Sequence, residues 1–144
     1  MKGRCLCGRV GFEISGELPR LYQCHCSLCR RVTGSSANAA MIVDHEQFEW
    51  LRGAELVREY ATETDYKSHF CSHCGSPLPN PTRDDSAWWV PVGLLDDSGE
   101  LELAMHLYVD SKAGWDTIPN AGEQHAEMPD RDTLVGLLRP GKSV

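Results

Sequence analysis

At 144 residues, with 41% hydrophobic and 24% charged side chains, the chain is sized and composed like one globular domain. Its formal net charge is −7 and its Lys and Arg are scattered, so the basic stripe of a nucleic-acid binder is missing. No run approaches the roughly 18 apolar residues of a membrane span, and Met1-Lys2-Gly3-Arg4-Cys5 lacks the apolar core of a signal peptide. A reducing cytoplasm is therefore expected, and seven cysteines, an odd number, suit disulfides poorly.

Residues 3–14 read as a hairpin. Cys5 and Cys7 would share one face of an extended segment, Gly8 suits the turn, and Val10, Phe12 and Ile14 alternate as a half-buried strand should. After a break over 16–19, residues 21–24 read as a second strand that runs into Cys24-His25-Cys26-Ser27-Leu28-Cys29. Residues 30–34 read as a short turn, with Gly34 free to take positive φ. Residues 37–43 and 48–52 are the next apolar segments, and 56–60 follows a Gly53 turn. Phe70 leads into a Cys71–Cys74 knuckle closed by Gly75. The prolines at 77, 79 and 81 exclude central strand or helix interior. Residues 87–95 and 101–109 are strand candidates joined by the acidic turn Asp96-Asp97-Ser98-Gly99. Asp132 to Leu138 predicts one short helix, with Leu134, Leu137 and Leu138 inward. The class is mainly β with little helix, read as one domain over 1–144 with a motif-bearing core (3–118) and a tail (119–144).

All seven cysteines fall in three tight clusters. A Cys-x-x-Cys turn aims two sulfurs at one ion, and Zn²⁺ favours four such soft ligands. Counting favours a closed site on Cys5, Cys7, Cys71 and Cys74, and a second on Cys24, Cys26 and Cys29 with one position open; other pairings remain compatible with the count. The four-cysteine site would staple distant segments of a small β domain.

Gly3-Arg4-Cys5-x-Cys7-Gly8, Cys24-His25-Cys26-x-x-Cys29-Arg30-Arg31-x-Thr33-Gly34-Ser35, Phe70-Cys71-x-x-Cys74-Gly75-Ser76 and His106-Leu107-Tyr108-Val109-Asp110-Ser111-Lys112-Ala113, with Trp115, resemble the glutathione-dependent formaldehyde-activating enzyme family and its centromere-protein-V-like zinc domain. The resemblance runs in order from residue 3 to about residue 118. It implies a twisted β-tent fold of antiparallel sheets with two zinc ions per chain. The structural zinc falls on Cys5, Cys7, Cys71 and Cys74, and the more exposed one on Cys24, Cys26 and Cys29. It also implies carbon–sulfur lyase chemistry, with glutathione and formaldehyde giving S-(hydroxymethyl)glutathione. Asp65 and Ser68 stand where the family carries a Gly and an Arg, leaving Lys67 as the nearby cation, and Gly114 stands where it carries a Pro.

At the three-cysteine site, coordination would lower the pKa of an incoming thiol, and the thiolate would add to an aldehyde carbon. Cys26, the middle ligand, is the one expected to exchange with the substrate sulfur. The competing reading is a non-catalytic zinc module, a thiol carrier or protein-binding domain, whose second ion is completed by water or by His69 or His73. His25, between two ligands on an extended segment, would point to the opposite face. Arg30 and Arg31 suit a carboxylate-bearing ligand or a solvated surface equally well. Trp88, Trp89 and Trp115 are pocket or core candidates, and the same holds for Tyr108 and His106.

Overall fold

The structure, a computed structural model, describes residues 1–97 and 99–140. In chain order the elements are β1 (Lys2–Arg4), β2 (Gly11–Ile14), β3 (Leu21–Cys24), α1 (Ser27–Thr33), β4 (Asn38–Val43), β5 (Phe48–Arg52) and β6 (Val57–Ala61). There follow β7 (Lys67–Cys71), β8 (Pro77–Leu78), β9 (Asn80–Pro81), β10 (Trp88–Pro91), β11 (Leu103–Leu107), β12 (Glu123–Gln124) and α2 (Arg131–Leu138). The fold is mainly β, as the alternating pattern predicts.

Three sheets form, ordered β1-β2-β5, β12-β11-β3-β4-β10-β9 and β6-β7-β8. In the first, the predicted hairpin pairs Gly3 with Phe12, and the Phe12 ring lies where a side chain at position 3 would have to go. The proline-containing strands β8 and β9 are both two residues long and both lie at sheet edges, where a missing N–H leaves no central ladder broken. The large sheet is mixed: β11 runs parallel to β3 and to β12, while its other pairings are antiparallel. Four consecutive residues of β11, Ala104 to Leu107, are buried, the uniform pattern of a strand covered on both faces.

Apolar residues gather in three clusters, and two of them carry cysteines. Cys5, Val10, Cys71 and Leu78 form one. Cys24 and Cys29 belong to another, with Tyr22, Ala40, Met105, Leu107 and Leu138. The third, Phe12, Ile14, Met41, Val43 and Val90, is sealed by Phe48, Trp50 and Trp88. Burying each large side chain stabilises by about 1.5–3 kcal/mol. Leu138 is buried, and Leu134 and Leu137 pack beside it, so the predicted helix docks as expected. No helix among the described residues is long and apolar enough to cross a membrane.

Two local expectations are corrected. Cys5 and Cys7 lie in the turn after β1, not on an extended segment. Residues 27–33 form α1, which takes up most of the turn expected over 30–34. Cys26 supplies its cap: its Sγ accepts from the Cys29 N–H at 3.4 Å, and Gly34, at φ +62°, ends the helix. Of the acidic turn, Ser98 lies outside the described residues.

Candidate metal centre and cavity

The Cys5–Cys7 turn and the Cys71–Cys74 knuckle meet although they are far apart in sequence. All four Sγ atoms lie within 4.8 Å of one another. The knuckle is built by Gly75 N–H donating to Cys71 O at 2.8 Å and Cys71 N–H to Ser76 O at 2.9 Å. Ser76 Oγ ties it to the first turn by accepting from Leu6 N–H at 2.9 Å. Val10 N–H donates to Cys5 Sγ at 3.3 Å, the kind of contact that stabilises a thiolate. The Ser76 hydroxyl beside Cys74 holds that thiol down to about 5. Four convergent free thiols with donors aimed at them fit a tetrahedral soft-metal site.

Cys24, at the end of β3, Cys26, at the helix cap, and Cys29, in α1, form the second group, again with Sγ atoms within 4.8 Å. Among the described residues no fourth Cys, His, Asp or Glu joins them. Cys24 and Cys29 are buried and Cys26 is half-buried. A hydrogen bond from the Cys29 thiol brings Cys24 down to about 6 against its burial, and the same bond pushes Cys29 up. Of the pair, Cys24 is the more readily ionised. The cluster can hold a metal ion with a position left open.

His25 points away from the sulfurs into a buried network. It is 2% exposed, and its Nε2 lies 3.0 Å from Nδ1 of His106, which is fully buried. His106 Nε2 reaches Ala121 O at 2.9 Å, so His106 donates there and accepts from His25. His25 Nδ1 then faces Asp116 Oδ2 at 3.4 Å. The loop between Cys24 and Cys26 is thus anchored to β11 and to the segment beyond it. His69 bonds Pro79 O and Glu59, and His73 is exposed; neither joins a cysteine group.

A cavity of about 650 Å³ opens over the second group, and all three cysteines line it. Its walls include Tyr22, Ile42 and Trp89 from the large sheet, and Tyr66 and Tyr108 from neighbouring turns. Lys67, Arg83 and Asn80 supply polar groups. Tyr66 is held protonated well above the usual phenol range by burial and then by the negative charge that the cysteine group carries. Asn80 is 5% exposed; its Nδ2 donates to Pro81 O, and its Oδ1 has no partner. Arg30 and Arg31 are not among the lining residues. Arg30 spends its guanidinium on His25 O and Ser111 O, both at 3.3 Å, and Arg31 is exposed. Trp89 lines the cavity, Trp88 packs in the core and Trp115 is exposed.

Residues 1–111 match the protein family described as "Glutathione-dependent formaldehyde-activating enzyme". A Halomonas elongata protein named "Putative glutathione-dependent formaldehyde-activating enzyme" is 32% identical over 151 residues, covering 98% of this chain and 96% of that one. A crystal structure of a Rhodobacter sphaeroides protein superposes with a TM-score of 0.56 at 31% identity, covering 72% of this chain and all of that one.

Proposed function

Because the chain belongs to the glutathione-dependent formaldehyde-activating enzyme family, we propose that it joins a small thiol, glutathione or a close analogue, to formaldehyde or another small aldehyde. The class is a carbon–sulfur lyase of the S-(hydroxymethyl)glutathione synthase type. One observation carries the reading: three cysteines converge on the lining of a cavity with no fourth ligand among the described residues. A zinc ion held by Cys24, Cys26 and Cys29 would depress the pKa of a thiol entering the open position, keeping the nucleophile ionised at neutral pH. A second zinc on Cys5, Cys7, Cys71 and Cys74 would be structural, giving two ions per chain.

The chain's own residues then divide the work. The substrate sulfur donates a lone pair to the aldehyde carbon, the C=O π pair moves to oxygen, and the proton lost by the thiol ends on that oxygen. Tyr66, kept neutral, offers its O–H to the developing alkoxide. Cys26, the least buried of the three, would be the ligand best placed to exchange with the incoming sulfur. Lys67 and Arg83 face the cavity where a carboxylate-bearing thiol would lie. Seven free thiols suit a reducing cytoplasm. We read residues 1–144 as one domain.

The test is the rate of thiohemiacetal formation from glutathione and formaldehyde, followed by exchange NMR with and without zinc-loaded protein. Acceleration in the wild type that is lost in Cys26→Ser supports the proposal. Tight thiol binding with turnover no faster than the uncatalysed reaction makes the protein a carrier and refutes catalysis.

A further inference from the structure

The cavity exceeds what formaldehyde needs, and the structure assigns the excess to a larger partner: we propose that it takes an aldehyde bearing an aromatic-sized apolar substituent, joined to the same small thiol. This rests on the thiol–aldehyde reading above and narrows its substrate.

Size comes first. At about 30 Å³ per water, 650 Å³ holds roughly twenty waters, whereas formaldehyde has two heavy atoms and displaces one or two. The thiol fills part of the rest, but its chemistry matches only part of the wall. Amide and carboxylate groups of a peptide thiol suit Lys67, Arg83 and the unpartnered Asn80 Oδ1. Among the described residues, neither Lys67 nor Arg83 has a carboxylate partner.

Closer to the cysteines the sheet wall is apolar; Asn80 joins it only at the far edge, beside Trp89 on β9. Tyr22 and Cys24 are two apart on β3 and share a sheet face. Tyr22 pairs with Ala40, two residues from Ile42 on β4, and Ile42 pairs with Trp89 on β10. One face of three adjacent strands therefore runs from the Cys24 sulfur across Tyr22 to Ile42 and Trp89. Trp89 Nε1 spends its single donor on Tyr22 Oη, at 2.7 Å. What this face offers a ligand next to Cys24 is mainly ring and aliphatic surface. A carbon bonded to sulfur at the cysteines places its substituent against this surface. The thiol's polar arms would find few partners there and would lose their water.

The chemistry is the addition already described. A C–S bond forms, the carbonyl π bond breaks, the thiol proton passes to oxygen, and no redox partner is needed.

The experiment uses zinc-loaded protein and glutathione with either formaldehyde or phenylacetaldehyde, each rate divided by its own uncatalysed rate. The acceleration for phenylacetaldehyde is expected to exceed that for formaldehyde by about tenfold or more, and Ile42→Trp, which fills the apolar end, is expected to collapse that ratio. Calorimetry gives a readout independent of turnover: S-benzylglutathione should bind about tenfold tighter than S-methylglutathione to the wild type. Equal or greater acceleration of formaldehyde, with the two thioethers binding alike, overturns the aromatic substituent and leaves the thiol–aldehyde reading standing. Acceleration of neither aldehyde overturns both.

Discussion

Replacing Cys71 by Ser tests what the four-cysteine site contributes. Cys71 is fully buried, and its ligand group joins it to Cys5, about 66 positions earlier in the chain. Cross-linking a chain across that span removes denatured-state entropy worth about 4 kcal/mol in the chain-entropy treatment of a cross-link. Losing one thiolate of four also forfeits most of the metal's binding energy, which in such sites is folding energy. A loss of about 4 kcal/mol or more is comparable to the whole stability of a typical domain, about 5–15 kcal/mol. Near 150 residues each kcal/mol shifts Tm by about 2–4 °C, so a drop of at least about 10 °C is expected. Circular dichroism melts in chelator-free buffer measure it, with Cys26→Ser as the control. Cys24, Cys26 and Cys29 lie within one short stretch of chain already held by β3 and α1, so Cys26→Ser should melt within a few degrees of the wild type. A Cys71→Ser protein that melts cooperatively beside the wild type would refute the staple.

Tyr66→Phe should leave Tm nearly unchanged and lower kcat/KM about tenfold or more, because it removes one hydroxyl from the cavity and no core volume; steady-state kinetics decide. Gly53 stands at φ +72° with its missing Cβ directed at the Arg9 carbonyl, so Gly53→Ala should destabilise by about 1–3 kcal/mol, read from denaturant melts. His106→Ala strips the fully buried partner from His25 Nε2, at a cost of about 1–3 kcal/mol, and should lower metal content at the three-cysteine site first, measured by metal analysis. Asp130 caps α2, and the Thr133 N–H followed by its hydroxyl hold the carboxyl below its usual value. A depressed carboxyl stabilises above the ordinary value of about 3.9 and ceases to as pH falls through its folded one, so α2 should fray below about pH 4; amide exchange at Thr133 follows it.

The cysteine clusters were legible because spacing alone carries metal-ligand chemistry, and the structure brings them together four and three. Alternation exposed the hairpin strands and the inward leucines of α2, and the prolines at 77 and 81 marked edges. Helix α1 was missed because its cap is a cysteine, whose sulfur does here what a Ser, Asn or Asp oxygen ordinarily does. The parallel pairing of β11 with β3 left no trace in local pattern, since it joins segments some 80 residues apart. For the same reason the His25–His106 contact is invisible, although the turning of His25 away from the sulfurs follows from its place between two ligands. Tyr66, Asn80 and Arg83 were missed because turns and edge strands bring them to the cavity without any periodicity. Lys67 was noted only as a nearby cation. The charge of Arg30 makes it a candidate ligand contact; in the fold, backbone carbonyls engage its guanidinium, a use that residue type alone cannot disclose.

In the proposed reaction a substrate thiol reaches a metal held by Cys24, Cys26 and Cys29. Cobalt-substituted protein titrated with glutathione tests it most directly, since sulfur-to-cobalt charge transfer reports each thiolate bound. A saturable spectral change is expected in the wild type and should disappear in Cys24→Ser, while the signal of the four-cysteine site persists. A spectrum unmoved by glutathione at saturating concentration, with both sites loaded, would contradict it.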